Sequence, residues 1–382
     1  MCAYWWGNST SSAARRLRRA YDALPGARVG WDSHGSDGGP SISYAGLQDG
    51  VSHVLAPMEK WRQRSEGGTD ERNERRGGRR TRALAWARGP GRGDLIALGL
   101  YGDEAARHDF GRHLVAPLRI HYLIHLDNSP EAFLARFGKK DRENIRRGLR
   151  KHDWNLERTG RPEDFDLFYT SMHVPTMAAR HQGWVRSERR DVAEHVLFRR
   201  GLLFFLRRGS ERVAGVLCRV EGGTLVIRLA GVMDGDARHY RDGAQLMLYH
   251  LVMRWAIGQG IRRAELSGSR PFISEGLYAF KRKFRPQIVV PKTHFADKRL
   301  ILAPRRDTAE VRDFLRDHPV ITVNRSGELR VAYPYDRKRP PRTDLPWDCS
   351  GISGAQEIDL DCLLAGLPGP AVSRRDERRA TR

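Results

Sequence analysis

The chain has 382 residues, a length typical of two or three compact units with a sizeable buried core. Its 68 Lys and Arg residues outnumber its 46 Asp and Glu residues, which gives a formal net charge of +22. Hydrophobic residues make up 40% of the chain, too many for a disordered protein, and no apolar run approaches the ~20 residues of a membrane span. Composition therefore excludes membrane-spanning, collagen-like and disulfide-scaffold classes.

The cysteines and histidines form no recognisable metal or redox motif. The four cysteines contain no C-x-x-C pair, and the 14 histidines contain no H-E-x-x-H pattern. The first thirty residues contain no signal peptide pattern. We therefore predict no metal site and a reducing, cytoplasmic compartment.

The N-terminal third predicts an irregular α/β region, residues 1–116, with a basic insertion. Residues 59–92 carry 11 basic and 5 acidic side chains, paired glycines and no amphipathic period, which is typical of a mobile loop. An apolar strand follows at 95–101, and a second strand is predicted at 118–126.

A strong helix is predicted next. Ser129 is a plausible N-cap, Pro130 fits the first helical position, and the apolar stripe continues to Lys151. Basic residues recur on one face of this helix at spacings of three or four, namely Lys139, Arg142, Arg146 and Arg150. That face is either a phosphate-binding surface or an ordinary exposed helix face. A strand is then predicted at 154–159, followed by helical segments at 163–181, broken before Pro175, and at 188–199.

The chain from Leu202 onward predicts an ordered β-β-β-α-β-α-β pattern. Its members are strands at 202–207, 212–220 and 224–232, a helix at 243–258, a strand at 262–267, a segment at 276–284 and a strand at 287–291. Residues 303–371 predict a small α+β region with a helix at 307–317 and a hairpin, and 372–382 predict a disordered basic tail.

The segment from Ala264 to Phe284, AELSGSRPFISEGLYAFKRKF, has an acidic strand end, a Gly-Ser turn and a G-L-x-x-F-K-x-x-F signature. It resembles the Fem-like and CelD-like branch of the GNAT acyltransferase superfamily, and the Lys139–Arg150 helix resembles the K-x-x-R-x-x-I-R-R element of that branch. The resemblance covers residues 117–291. It implies a mixed α/β, GNAT-like fold, with a complete transferase domain at 117–302 and a degenerate GNAT-like unit before it.

The resemblance also implies a catalytic role for Lys281 and its neighbour Phe280. Acyl transfer to an amine passes through a tetrahedral oxyanion, which a fixed cation stabilises where water is excluded. Without the resemblance, the basic residues around Lys281 are read as a solvated turn.

The donor is expected to bind at the start of the 243–258 helix, where backbone N–H groups can hold an anion. The usual Gly-rich acyl-CoA loop is reduced here to Gly243, with Asp242 beside it, which helix capping explains equally well. The expected donor-binding residues are Arg241, Gly243, Lys139, Arg142 and Arg146. The expected acceptor-binding residues are Glu265, Ser267, Ser269 and Tyr278.

His173, His181 and His239 are candidates for a general base, although a single His on a mixed face is more often structural. The turn at 182–184 either lines the acceptor cleft or ends a helix.

We therefore predict a Fem-like transferase that moves an acyl or aminoacyl group onto a small-molecule or peptide amine. The expected donor is aminoacyl-tRNA, which makes tRNA a partner, and no further cofactor is expected. One alternative is an acyl-CoA-dependent N-acyltransferase of polysaccharide or secondary-metabolite biosynthesis. The other is a catalytically silent module that binds RNA or another polyanion.

Overall fold

The computed structural model describes residues 2–24, 26–34, 42–51, 58, 71–77, 93–107, 112–181 and 188–369. The fold is mixed α/β, as predicted. The chain divides into two compact units. The first comprises Met1–Gly7, His121–Gly268 and Phe280–Val289, and the second comprises Asn8–Ile120, Ser269–Ala279 and Val290–Arg382.

The described strands, in chain order, are β1 (Arg28–His34), β2 (Ile42–Leu47), β3 (Glu71–Gly77), β4 (Leu95–Tyr101), β5 (Leu114–Pro117), β6 (Ile120–His125), β7 (Trp154–Thr159), β8 (Leu202–Arg208), β9 (Glu211–Glu221), β10 (Thr224–Val232), β11 (Arg263–Ser269), β12 (Gln287–Val289), β13 (Lys298–Pro304), β14 (Val320–Val323), β15 (Leu329–Tyr335) and β16 (Ile352–Asp359).

The described α-helices, in the same order, are α1 (Cys2–Asn8), α2 (Ser12–Asp22), α3 (Gly102–Arg107), α4 (Pro130–Ala135), α5 (Lys139–Lys151), α6 (Pro162–Leu167), α7 (Val174–His181), α8 (Arg190–Val192), α9 (Ala237–Arg241), α10 (Ala244–Gly258), α11 (Gly276–Arg282), α12 (Ala309–Asp317) and α13 (Leu360–Leu363). Two π-helical segments, Phe168–His173 and Ala193–Phe198, lie in the first unit.

The first unit is built on a seven-stranded sheet with the order β12-β6-β11-β10-β9-β8-β7. Strands β7 to β10 form an antiparallel meander, and β10 pairs with β11 in parallel. A parallel neighbour requires a crossover connection, which α10 supplies. Helix α10 packs on the meander and against α5, and both π-helical segments also pack on the meander. The predicted β-β-β-α-β-α-β order is confirmed.

The predicted helix from Pro130 to Lys151 is two helices. Ser129 is the N-cap of α4, as predicted, because its hydroxyl oxygen accepts a hydrogen bond from the Ala132 N–H at 3.1 Å. Helix α4 ends at Ala135, and Gly138 stands at the N-cap of α5 in an extended conformation. The apolar stripe alone could not locate this break, since Phe133, Phe137 and Ile145 are buried on both sides of it.

The predicted break before Pro175 is wrong. The helical path runs from Pro162 to His181, and the turn before α7 is the π-helix Phe168–His173. Pro175 lies just after this π-helix, and the wider π-turn accommodates its ring within the continuous helical path.

The second unit contains a six-stranded sheet, β3-β1-β2-β4-β13-β5, and a three-stranded sheet, β14-β15-β16. Strand β13 lies between β4 and β5 and is antiparallel to both. Residues from both ends of the sequence therefore build one sheet, which divides the chain differently from the predicted limits 1–116, 117–302 and 303–371. That the N-terminal residues form a degenerate GNAT-like unit stays a prediction.

Part of the predicted loop at 59–92 is a strand. β3 pairs antiparallel with β1 at the edge of the six-stranded sheet. Its sequence, ERNERRG, has no apolar alternation, so periodicity could not reveal it. The rest of that segment, the 182–184 turn and the 372–382 tail lie outside the described residues. No helix in the part of the chain that the structure describes is long and apolar enough to cross a bilayer.

An ionic network joins β7, β9 and α6 in the first unit. The Asp164 side chain is 3% exposed, and it accepts hydrogen bonds from Arg212 at 2.6 Å, Arg161 at 2.9 Å and the Thr159 hydroxyl at 2.6 Å. Burial alone would raise the pKa of Asp164, but these hydrogen bonds hold that pKa well below its usual range.

We expect this carboxylate to make the first unit sensitive to acid. A carboxyl group with a depressed folded-state pKa contributes stability above its unfolded pKa of about 3.9, and this contribution is lost as pH falls toward the folded value. The free energy of unfolding should therefore fall less between pH 6 and pH 3 in Asp164→Asn than in the wild type. Urea titrations at the two pH values measure the difference. Asp166→Asn, on the exposed side of α6, is the control.

Candidate active site

The strands β10 and β11 separate after a short parallel pairing. Their register covers Thr224–Val226 against Arg263–Glu265, and each strand continues beyond that point. Strand β10 has an irregularity between Ile227 and Leu229 against β9, which bends it where the two strands diverge. Divergence leaves backbone groups that a continuous sheet would pair, and this makes the point of separation the candidate site of the first unit.

Ser267 lies on β11 just beyond the last paired residue. Its φ is 54°, in the left-handed region that residues with a Cβ rarely adopt. Its hydroxyl donates a hydrogen bond to the Ile227 carbonyl oxygen at 2.5 Å, which links the two strands at the start of the opening. The predicted acceptor residue is therefore held in place, and its contact with an acceptor stays a prediction.

Lys281 is held at the end of the same strand. Its Nζ donates hydrogen bonds to the carbonyl oxygens of Ser267 and Gly268, both at 3.2 Å, and lies 4.6 Å from the centroid of the Tyr122 ring. The residue is 4% exposed, so Lys281 does not belong to a solvated basic turn. Carbonyl dipoles and an aromatic face both favour the charged ammonium.

Aromatic rings surround the neighbouring Phe280. It meets Tyr249 edge-on at 5.3 Å between ring centroids, and Phe284 edge-on at 5.5 Å. Burial raises the pKa of the Tyr249 hydroxyl well above its usual range, so this tyrosine stays protonated at neutral pH. Phe280, Tyr249 and Phe284 thus pack against one another, and Phe280 is next to Lys281 in the chain.

A histidine–carboxylate pair that the sequence did not single out lies on the neighbouring strand. His121 of β6 and Glu265 of β11 meet at 2.8 Å between Nδ1 and Oε1. Their side chains are 12% and 25% exposed. No local spacing could reveal this pair, because 144 residues separate its members and strand pairing alone brings them together.

The start of α10 provides backbone donors. Gly243 is its N-cap with a φ of 83°, and no described side chain caps the first turn. Asp242 does not cap the helix; it pairs instead with Arg208 at 3.3 Å. The first N–H groups of this 15-residue helix therefore face outward at the positive end of its dipole. Arg241, a predicted donor residue, is exposed just before it.

The basic face of α5 is less uniform than the sequence predicts. Arg142 turns back to α4, where it donates hydrogen bonds to the carbonyl oxygens of Ala135 at 3.0 Å and Phe137 at 3.3 Å. Arg150 lies 3.7 Å from Glu143, with both side chains exposed. Lys139 and Arg146 are exposed as predicted. Arg142 and Arg150 therefore have partners within the chain, and the use of this face for phosphate binding stays a prediction.

The remaining predicted residues lie elsewhere. Ser269 and Tyr278 fall in the second unit, where the Tyr278 hydroxyl donates to the Trp347 carbonyl oxygen at 3.3 Å. His173 is buried in the π-helix, bonds the Ala230 carbonyl oxygen at 3.1 Å, and has its pKa lowered by burial, which fits a structural role. His239 lies half-buried on α9. The side chain of His181 is outside the described part.

The divergence of β10 and β11 and the buried Lys281 lie together on the mixed α/β sheet of the first unit, and a catalytic role for Lys281 stays a prediction. Residues 135–282 match the family model of the acetyltransferase (GNAT) domain. The predicted membership of the GNAT superfamily and the predicted class, acyltransferase, are thereby confirmed for this segment.

Three solved structures are similar to this chain at low sequence identity. The C-terminal domain of a putative lysylphosphatidylglycerol synthetase from Agrobacterium fabrum is 15% identical, with 77% of this chain and 87% of that chain covered and a TM-score of 0.35. L-PGS from Bacillus licheniformis is 13% identical over 81% of this chain and 97% of that one, with a TM-score of 0.34. FemX is 9% identical over 70% and 82%, with a TM-score of 0.37. No curated protein sequence matches the chain.

Proposed function

We propose that this acyltransferase is Fem-like and transfers an aminoacyl group from aminoacyl-tRNA to the amine of a small molecule or peptide. The observation that carries the proposal is the opening between β10 and β11, with Lys281 fixed at its edge. An acyl carbonyl seated there would develop its negative charge beside a buried ammonium. Charged tRNA is a cytoplasmic donor, in agreement with the predicted compartment.

Two features favour tRNA over a smaller donor. The exposed cations of α5, which include Lys139 and Arg146, offer contacts to a phosphate backbone that extends beyond the opening. The loop before α10 provides a single Gly243 rather than a Gly-rich cradle for a pyrophosphate. A cradle of that kind is what a compact nucleotide donor needs most.

The acyl-CoA alternative is favoured by one observation, the uncapped first turn of α10. Its outward N–H groups can hold a phosphate group without any Gly-rich loop. The two donors are distinguished by incubating the purified protein with an amine mixture and either bulk charged tRNA or acetyl-CoA. Loss of the ester bond of charged tRNA supports the proposal, and consumption of acetyl-CoA alone overturns it. If neither donor is consumed but tRNA binds, the protein is a silent RNA-binding module.

Neutralising two exposed cations of α5 should weaken tRNA binding in a salt-dependent way. In Arg146→Gln with Arg147→Gln, we expect the slope of log K against log salt to become shallower by about 0.9 for each lost phosphate contact. Filter binding at several salt concentrations measures the slope. The matched control is Arg199→Gln with Arg200→Gln, two exposed arginines elsewhere in the same unit. Equal slopes in both variants would contradict the assignment of α5 to the tRNA surface.

A further inference from the structure

We infer that His121 is the general base that deprotonates the acceptor amine, and that Glu265 positions it. This inference rests on the proposed acyl transfer to an amine. It assigns to Glu265, predicted as an acceptor-binding residue, a role that acts through the imidazole ring. None of the three histidines considered from the sequence is needed for this step.

The contact with Glu265 fixes the tautomer of His121. A carboxylate only accepts hydrogen bonds, so the 2.8 Å contact with Glu265 fixes the proton of His121 on Nδ1 and leaves the basic lone pair on Nε2. A neutral imidazole in this orientation can take a proton, and the carboxylate then stabilises the imidazolium. A His that donates to a backbone carbonyl, as His173 does to Ala230, receives no such charge stabilisation.

The pair lies beside the point where β10 and β11 separate. Glu265 is opposite Val226, the last residue of β10 that pairs with β11, so the pair lies where the strands begin to separate. Consecutive strand residues point to opposite faces, which places His121 on the face opposite Tyr122 and the Lys281 ammonium. The pair and the Lys281 ammonium therefore lie beside the divergence of β10 and β11 on opposite faces of the sheet.

The neighbours of the pair are known from the register. Val289 of β12 stands opposite His121, and Val226 of β10 stands opposite Glu265. Beyond Val226, the next strand presents Arg219, which pairs with Glu221 at 3.5 Å. Glu265 is therefore the charged group nearest the ring among those that the strand register sets beside it.

The chemical step balances as follows. The amine nitrogen forms a bond to the acyl carbon while its proton passes to Nε2 of His121. The tetrahedral oxyanion collapses, the bond between the acyl carbon and the ribose oxygen of the donor breaks, and the same proton passes from His121 to that oxygen. The products are the amide and the uncharged tRNA.

The test compares two amines with whichever donor the wild type consumes. In His121→Gln we expect kcat/KM with butylamine to fall about 100-fold or more. Hydroxylamine is unprotonated at neutral pH, so the fold-decrease of kcat/KM with this amine should be at least tenfold smaller. In Glu265→Gln, whose amide oxygen can still accept from Nδ1, the limb of the pH profile that reports the base should move to lower pH. His125→Gln, four residues along the same strand and exposed, is the control and should match the wild type.

The outcomes separate this inference from the proposed function. The base assignment is overturned if the wild type consumes a donor and His121→Gln lowers kcat/KM equally for the two amines, or for neither. The acyl transfer itself then stands. If the wild type consumes no donor with either amine, the proposed function falls and this inference falls with it. A retained pH limb in a folded Glu265→Gln would contradict the positioning role alone.

Discussion

Replacement of Lys281 by Met should lower kcat about 100- to 1000-fold, which is the usual cost of removing one electrostatic donor to an oxyanion. Met has a similar length and keeps the apolar contacts of the side chain, so the change removes chiefly the charge. KM should change little, because the ammonium acts on charge that develops only in the transition state. Steady-state kinetics with the donor that the wild type consumes measure both constants.

The same substitution has a structural cost that must be separated from the catalytic one. The carbonyl oxygens of Ser267 and Gly268 lose a charged donor, and an unsatisfied buried acceptor costs about 1–3 kcal/mol. The urea midpoint of Lys281→Met reports that cost. Lys281→Arg retains the charge, so it should recover part of kcat if the charge is what matters.

Lys283→Met is the matched control. Lys283 is two residues away, and its ammonium pairs with Asp141 at 2.9 Å on the partly exposed side of the turn. We expect its kcat to stay within about twofold of the wild type, since a partly exposed ion pair contributes little. Equal kcat losses in the two variants would show that Lys281 acts only by holding the turn.

The elements of the first unit could largely be predicted from the sequence because their signals are local. Ser129 followed by Pro130 predicts a helix start, and the apolar runs from Leu202 to Val232 predict the meander. The break at Gly138 and the π-helix before α7 depend on how side chains pack against other elements, which no periodicity records.

Of the candidate site, only the residues that belong to one contiguous sequence motif could be singled out from the sequence. The sequence singled out Lys281 and Phe280 because the signature is contiguous, and the burial of Lys281 shows that this residue is not part of a solvated turn. The contact between His121 and Glu265 was not predicted, because it depends on β6 and β11 being neighbours in the sheet. The bend of Arg142 toward α4 was missed for a related reason: an arginine on a helix can satisfy the carbonyls of the preceding turn as readily as it can face solvent.

The largest effect on stability is expected in the second unit, at Lys298. This residue begins β13 and its side chain is 0% exposed, with Nζ 2.6 Å from a carboxylate oxygen of Asp22 and 2.5 Å from one of Asp49. Arg18 contacts the same two carboxylates at 3.2 Å. Burial alone would raise the pKa of Asp49, but a hydrogen bond from His294 and the charge of Lys298 hold that pKa well below its usual range.

Lys298→Met should therefore lower the free energy of unfolding by about 3–5 kcal/mol, because it leaves the buried Asp22 carboxylate and the half-buried Asp49 carboxylate with one cation fewer. Urea titration measures the change. Lys292→Met, at an exposed position nearby in sequence, should lie within about 0.5 kcal/mol of the wild type.

A double-mutant cycle decides whether the loss comes from the uncompensated charge or from poor packing of the new side chain. Asp49→Asn removes one of the carboxylates while keeping its shape, so in the Lys298→Met background it should cost less than it does alone. Groups in one ionic network typically couple by about 0.5–3 kcal/mol. If the two losses simply add, the methionine side chain packs badly and the network itself contributes little. If the two losses couple, the ionic network itself stabilises β13 in the sheet. Its members are far apart in sequence: Asp22 and Lys298 are separated by 276 positions.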